Sequence, residues 1–462
     1  VMNITDVGHM TDDADGGEAG EDRMAVAGRR IAEAKKSGKL PEGVEIDPRD
    51  PYAIAAFYAS RFIDDARQLG LKVAIEEQTD PTLMPRAAAN VPGMIRVIES
   101  LIARGYAYCT GEPGERVVYF RVESFARYGA LSGNTIDALR EGEGGRISAV
   151  NQSAKTHPAD FLLWKEDPSH IMKWDSPWGA GYPGWHIECT VMSTRRLLGD
   201  AAFNQLLADH NGPNAIIDLH SGGEDNIFPH HECEIAQTCC AFSASPDAGT
   251  FARMWFHPRF LLVEGTKMSK SKGNFFTARD LFAKGIEPAA LRLELIKTHY
   301  RSNANFTMQG LTDSQRMLER WRRLHAGSGP DAPGAAEARA RCEADFAASL
   351  HEDLNIAGAI AAMNTWSAGA SQPSAEDAKL MRTLDGVLGV LDLGRPQGIT
   401  SEIGVYMPGV TPDPQIEALL CKRRDARAAK DFKASDVIRD QLAAMGYAIT
   451  DKPGGKVEVR RA

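Results

Sequence analysis

Three short stretches carry side chains able to do chemistry. Gly184-Trp185-His186-Ile187-Glu188-Cys189 and Phe228-Pro229-His230-His231-Glu232-Cys233-Glu234 supply thiol, imidazole and carboxylate donors, and Lys267-Met268-Ser269-Lys270-Ser271 supplies ammonium and hydroxyl groups. His230 and Glu234 are four residues apart, so a helix would set both on one face with Cβ atoms about 5–6 Å apart. Cys189, from another segment, offers a third ligand of a tetrahedral shell. Thiolate, imidazole and carboxylate together favour Zn²⁺ over magnesium or calcium. Three donors imply an open position or a fourth ligand from elsewhere. A His-x-x-x-Glu pair alone arises often by chance, and His231, Glu232 and Cys233 compete as donors in the same run. The adjacent Cys239 and Cys240 read as small buried hydrophobes.

Lys267, Lys270 and Lys272, with Ser269, Ser271 and Gly273-Asn274, make a flexible cationic loop. Such a loop can close on a triphosphate and stabilise charge growing on a departing pyrophosphate. The same composition also describes an exposed Lys/Ser turn. The loop has no Walker-type Gly-x-x-x-x-Gly-Lys-Ser/Thr, which disfavours a P-loop ATPase.

Elements must hold these stretches together. A chain of 462 residues exceeds one compact core, so about 2–4 domains are expected. With 43% hydrophobic and 25% charged residues it is neither disordered nor fibrous. No apolar run reaches the ~18–20 residues of a membrane span, and seven cysteines without a framework pattern suit a reducing cytoplasm. The net charge of −9 hides a reversal: residues 421–462 carry eleven Lys/Arg against six Asp/Glu, a footprint for a polyanion or a solvated basic helix. Val1 to Val7 reads as the end of a buried strand, so the chain is expected to begin mid-fold. Asp12 to Asp22 reads as an acidic loop. Apolar spacing predicts helices over 23–36, 51–69 and 87–105, then a strand at 117–122 inside a mixed α/β insertion. Ile216 to His220, the Ser221-Gly222-Gly223 turn and Pro229 at a helix start follow the order of a parallel α/β sheet, whose strand carboxyl ends gather ligands. Helices follow over 311–324, 335–350, 356–363 and 375–391. Linkers are expected at 327–334 and 394–413, then one long helix from Pro414, Gly446, and two strands at 447–450 and 456–460.

With these motifs in place, the chain resembles the cysteinyl-tRNA synthetase family. Lys267-Met268-Ser269-Lys270-Ser271 is identical to the signature loop of class I aminoacyl-tRNA synthetases. The Gly184–Cys189 and Phe228–Glu234 stretches resemble the family's zinc-site segments. Asn3-Ile4-Thr5-Asp6-Val7, Asp160-Phe161-Leu162-Leu163-Trp164-Lys165, Ser176-Pro177-Trp178-Gly179-Ala180-Gly181, Asp353-Leu354-Asn355 and the basic end from Arg423 to Arg461 resemble it too. The resemblance implies a class I synthetase fold: a Rossmann-like parallel sheet lacking its first strand and helix, with an α/β insertion, then a helical bundle and a small C-terminal α+β anticodon-binding module. The implied boundaries are 1–97 and 183–255 for the two parts of the catalytic domain, 98–182 for the insertion, 256–312 for the signature-loop and tRNA stem-contact region, 313–402 for the bundle and 403–462 for the anticodon module.

The implied reaction activates cysteine with ATP and Mg²⁺ to cysteinyl-adenylate, then transfers it to tRNA(Cys). Zinc would take the substrate thiolate, reading softness where shape separates cysteine from serine poorly. Carried over by motif, Cys189, His230 and Glu234 are the zinc ligands. Lys270, Lys267 and Ser269 contact ATP, with the two lysines catalytic. Thr5 and Trp185 line the cysteine pocket, Asp225 faces the amino group, and His186 and His220 floor the pocket. A cytoplasmic monomer is the family's habit. Two departures stand out. The family's first zinc cysteine and its His-Ile-Gly-His motif lie upstream of the segment that begins here at Asn3, so the chain as given is expected to adenylate poorly in pyrophosphate exchange. The 193–214 stretch is longer than expected, with helical character near Phe203 to Leu207. The alternatives are the cysteine ligase of mycothiol biosynthesis, which the basic C-terminal module disfavours, and a non-catalytic tRNA-binding derivative.

Overall fold

The structure, a computed structural model, describes all residues except 13–18, 39, 41–43, 135–153, 214, 269–273, 395–398, 408–409, 411, 452–455 and 462. It contains two compact units, Val1–Leu391 and Asp392–Ala462. Among the described residues no helix is long and apolar enough to cross a membrane, and all seven cysteines are free thiols.

Helices of the first unit begin and end where side-chain chemistry dictates. Asp50 accepts hydrogen bonds from the Tyr52 and Ala53 amides at 2.9 and 3.1 Å, which starts the Pro51–Gln68 helix. The Ala87–Ala103 helix buries Val91, Met94, Val97, Ile98 and Leu101 at three- and four-residue steps. Its first turn is held from a distant segment: the Asp6 carboxylate accepts from Ala88 N at 2.8 Å, and Ile4 bridges Arg86 in parallel. Strands Ala215–Ser221 and Thr250–Phe256 pair in parallel, and the Glu232–Phe242 helix lies in the crossover between them. The acidic segment read as a loop instead pairs Met10–Asp12 with Ala19–Asp22, antiparallel; three- and four-residue strands are too short to show alternation. The long stretch after Ser193 contains an added helix, Asp200–Asp209.

The insertion is a four-stranded antiparallel sheet in the order Ala107–Thr110, Val117–Phe120, Phe161–Glu166, Gly181–Pro183. Its centre is aromatic, with Tyr119, Phe120, Trp164 and Tyr182 wholly buried. Glu166 closes one end. It accepts from Arg116 Nε at 2.9 Å and Nη2 at 3.1 Å, and from the Gly114 amide at 2.9 Å. The Arg116 hydrogen bonds hold its carboxyl down at about 2, against an ordinary 4.5. A carboxyl depressed on folding contributes stability that is complete above the unfolded value and lost as pH falls towards the folded one. Urea midpoints of the wild-type chain are therefore expected to fall between about pH 4.5 and 2 more steeply than those of Glu166→Gln. Parallel curves for the two chains would remove Glu166 from the acid response.

Four helices follow: Met308–His325, Ala335–His351, Ile356–Gly369 and Ala375–Leu388. The last ends three residues before the expected Leu391, because Gly389 turns left-handed (φ 62°) and Asp385 accepts from the Val390 amide at 2.9 Å. Between the second and third helices, Asp353 and Leu354 are both left-handed (φ 52° and 55°). The Asp353 carboxylate accepts from Tyr300 Oη at 2.6 Å and from the Arg301 guanidinium, and Asn355 caps the next helix through Gly358 N at 3.0 Å.

In the second unit two expectations are corrected. The region read as a linker contributes strands Ile399–Thr400 and Gly404–Tyr406, which join Val457–Arg461 and Tyr447–Asp451 in one four-stranded sheet. Residues 392–402, grouped with the bundle by sequence, thus fall in this unit. The single long helix is two, Pro414–Ala428 and Phe432–Ala444. Lys430 is left-handed (φ 63°), and the Asp431 carboxylate restarts the helix by accepting from Ala434 N at 3.0 Å. Glu417 ties sheet to helix, accepting from Ser401 Oγ and Ile403 N, each at 2.6 Å, and from Tyr406 Oη at 2.8 Å.

Candidate metal centre

Three elements converge on one buried point. The Trp185–Leu198 helix starts hard against the Phe161–Glu166 strand, where Gly184 N donates to Leu163 O at 2.9 Å. A Cβ on Gly184 would lie 2.2 Å from Leu162 O, so only glycine fits. Trp185 and Cys189 then share a helix face. In the second element Phe228 is extended (φ −136°, ψ 132°), and the residues after it wind into the Glu232–Phe242 helix. This winding stacks His230 over Glu234, one turn apart. The third element is the Ala215–Ser221 strand, which brings His220 to the carboxyl edge of the parallel pair.

The donor atoms of Cys189, His230 and Glu234 all lie within 4.8 Å of one another. His230 Nε2 is 3.8 Å from Glu234 Oε1. Bonds of about 2.0–2.3 Å put tetrahedral donors roughly 3.3–3.7 Å apart, so slight closure suffices to seat an ion. Glu234 is wholly buried, and the one donor its oxygens meet in hydrogen-bond geometry is the weak Cys189 thiol. His220 Nε2 comes within 2.9 Å of Oε2 but without hydrogen-bond geometry. A buried carboxylate served only by a weak thiol donor is costly, and a dication between these groups removes that cost. The donor set fits a borderline-soft dication.

The surrounding electrostatics agree with that fit. Burial holds the imidazoles of His186, His230 and His231 down at about 3, the neutral form that ligates metals. Burial, and then the Glu234 charge, pushes the Cys189 thiol well above its usual range, while the Asn3 side chain opposes the shift. An arriving ion must therefore displace the thiol proton. His186 Nδ1 lies 2.8 Å from His230 Nδ1, so His186 backs the ring whose other nitrogen faces Glu234.

The other expected residues divide into near and far. The half-buried Trp185 ring stands 4.5 Å from the His230 ring and 5.7 Å from that of His186. His220 packs among the rings of His231, Phe251 and Trp255 at 4.9, 5.2 and 5.0 Å. Thr5 meets the same helix through the Glu188 carboxyl. Asp225, in the Glu224–Asn226 turn, and Lys267, on the short Thr266–Lys267 strand, are exposed and belong to neither donor set. Ser269 and Lys270 lie outside the described residues. Sequence reasoning missed three contributors. The first is Asn3, at the Cys189 thiol. The second is His9, buried with its Nε2 2.6 Å from Glu188 Oε1. The third is His257, whose Nε2 lies 2.9 Å from His231 Nδ1. None sits at a telling spacing from its partner; only folding joins them.

Residues 48–316 match the tRNA synthetases class I (C) catalytic domain, and residues 411–460 match the cysteinyl-tRNA ligase anticodon binding domain. The chain is 36% identical to a cysteine–tRNA ligase of Thermus thermophilus, over 98% of this chain and 85% of that one. It is 36% identical to the corresponding protein of Salinibacter ruber, over 100% and 86%. It is 40% identical to that of Acidiphilium cryptum, over 81% and 74%.

Proposed function

Because the chain belongs to the cysteine–tRNA ligase family of class I aminoacyl-tRNA synthetases, we propose that Cys189, His230 and Glu234 hold one Zn²⁺ in its cysteine pocket. The enzyme joins cysteine to tRNA at the expense of ATP. The observation that carries the zinc reading is the wholly buried Glu234 carboxylate, with only a thiol as hydrogen-bond donor and an imidazole within reach. When bound, the ion offers a soft acceptor to the substrate thiolate that serine's hydroxyl cannot match.

The chain's own residues do the rest. His186 orients His230, and Trp185 walls the pocket above it. Thr5 and His220 line the remaining sides, and Asp225 takes the substrate ammonium. Lys270, with Lys267 and Ser269, meets the triphosphate and its Mg²⁺ as pyrophosphate departs. Residues 1–97 and 183–255 serve as the catalytic domain, 98–182 as the insertion, 256–312 as the stem-contact region and 313–391 as the bundle. Residues 392–462 serve as the anticodon module, whose family match favours tRNA over the amino sugar of the related mycothiol ligase. The protein works as a cytoplasmic monomer.

Metal removal tests this reading. Purified protein is expected to carry about one zinc per chain. Stripping it with a chelator is expected to weaken binding of cysteine by about 100-fold or more, with recovery on adding Zn²⁺. A stripped chain that still prefers cysteine to serine ends the zinc reading.

A further inference from the structure

Glu234 has two oxygens, and they face different partners. Oε1 looks to His230 Nε2 at 3.8 Å, while Oε2 is 2.9 Å from His220 Nε2. The donor atoms of His220, His231 and Glu234 converge within 4.8 Å, a second set that shares only Glu234 with the first. His231 is suited to it. Its Nδ1 is engaged with His257 at 2.9 Å, which leaves Nε2 for a ligand. That nitrogen faces Gly222, where a Cβ would come within 2.6 Å, so the glycine keeps space open beside it. Both Glu234 and His231 are buried, and no nitrogen donor reaches the Glu234 oxygens in hydrogen-bond geometry.

We propose that His220, His231 and Glu234 form a second, weaker site for a borderline transition-metal dication, with Glu234 bridging it to the first. The proposal rests on the zinc reading above for the first ion. Two imidazoles and one carboxylate form a ligand set for Zn²⁺, Co²⁺ or Ni²⁺, with no thiolate among them. A bridging carboxylate holds paired ions about 3.5–4 Å apart in known two-metal sites. Charge repulsion from the first ion sets the order of filling, and the thiolate shell fills first. Excess metal at the second site places positive charge beside the pocket and opposes the ammonium of an incoming amino acid.

Titration of the metal-stripped protein with Co²⁺ alone tests the proposal, read by absorption and by bound metal per chain. The first equivalent is expected to show the thiolate-to-cobalt charge-transfer band, and the second only ligand-field bands, with roughly 100-fold weaker affinity. H220Q and H231Q should each lose the second equivalent and keep the charge-transfer band. That band also reports an intact first site and a folded chain. Cys189→Ser should lose the band and keep one equivalent, which H220Q then removes. A wild-type chain that takes one equivalent with the band overturns the second site and leaves the zinc reading standing. A second equivalent that survives both histidine variants also overturns it. A single equivalent without the band, lost in H220Q, overturns the zinc reading at Cys189.

Discussion

Replacing Cys189 by alanine is expected to remove zinc from the protein and with it the preference for cysteine. The thiol is one of three donors around the buried Glu234 carboxylate, and no other thiol belongs to either donor set among the described residues. Losing a partner that merely supports a ligand costs a metal site roughly 10–100-fold in affinity, and losing the ligand itself should cost more, on the order of 1,000-fold or about 4 kcal/mol. Zinc per chain after gel filtration is expected to fall from about one to near zero, with affinity for cysteine falling as well. The side chain fills little volume on a half-buried helix position, so the melting temperature of the metal-stripped protein should shift by only a few degrees. A Cys189→Ala chain that retains stoichiometric zinc would falsify the assignment.

The second large effect is expected from Gly184→Ala, which touches no donor. Its methyl would meet Leu162 O at 2.2 Å and the Leu162 side chain at 3.3 Å. The obstacle is backbone of a strand whose neighbours are buried aromatics, so the helix start must move instead. Overpacking of this kind destabilises by roughly 3 kcal/mol, and the displacement carries Trp185 and Cys189 with it. Denaturant midpoints and zinc affinity should therefore fall together. A Gly184→Ala chain as stable as wild type, with unchanged metal binding, would show that the strand yields easily.

The residues that sequence reasoning read well are those whose information is local. The helices at 23–36, 51–68 and 87–103 announce themselves by spacing and by capping Asp or Gly residues. His230 and Glu234 are legible for the same reason, as one helical turn of donors. The Glu166–Arg116 pair and the short strands at 399–400 and 404–406 are not. A two- or three-residue strand has no period to read: Ile399–Thr400 pairs only with Val405 and Tyr406, and Gly404–Tyr406 takes its other partner, Val457–Val459, from more than fifty positions later. The break at Lys430-Asp431 had a local signal, an Asp three residues before Ala434, but the charged run around it also suits an uninterrupted helix. At the site, His9, Asn3 and His257 became partners only through tertiary folding. The positions of Thr5 and Asp225 follow the motifs of related sequences and owe nothing to periodicity.

The turn at Asp353 and Leu354 has a mechanical consequence. Two successive non-glycine residues in the left-handed region resist that shape, and Leu354 also leaves an apolar side chain more than half exposed. Backbone bonds from Leu354 N to Leu350 O and from Asn355 N to Ser349 O hold the turn, and Tyr300 and Arg301 add a grip on Asp353, while Tyr300 leans on Phe256 with ring centres 4.3 Å apart. The turn thus doubles as a strut: through Asp353 and Tyr300 it braces Phe256, the last residue of the parallel strand, and losing that grip would leave the strand end without its backstop.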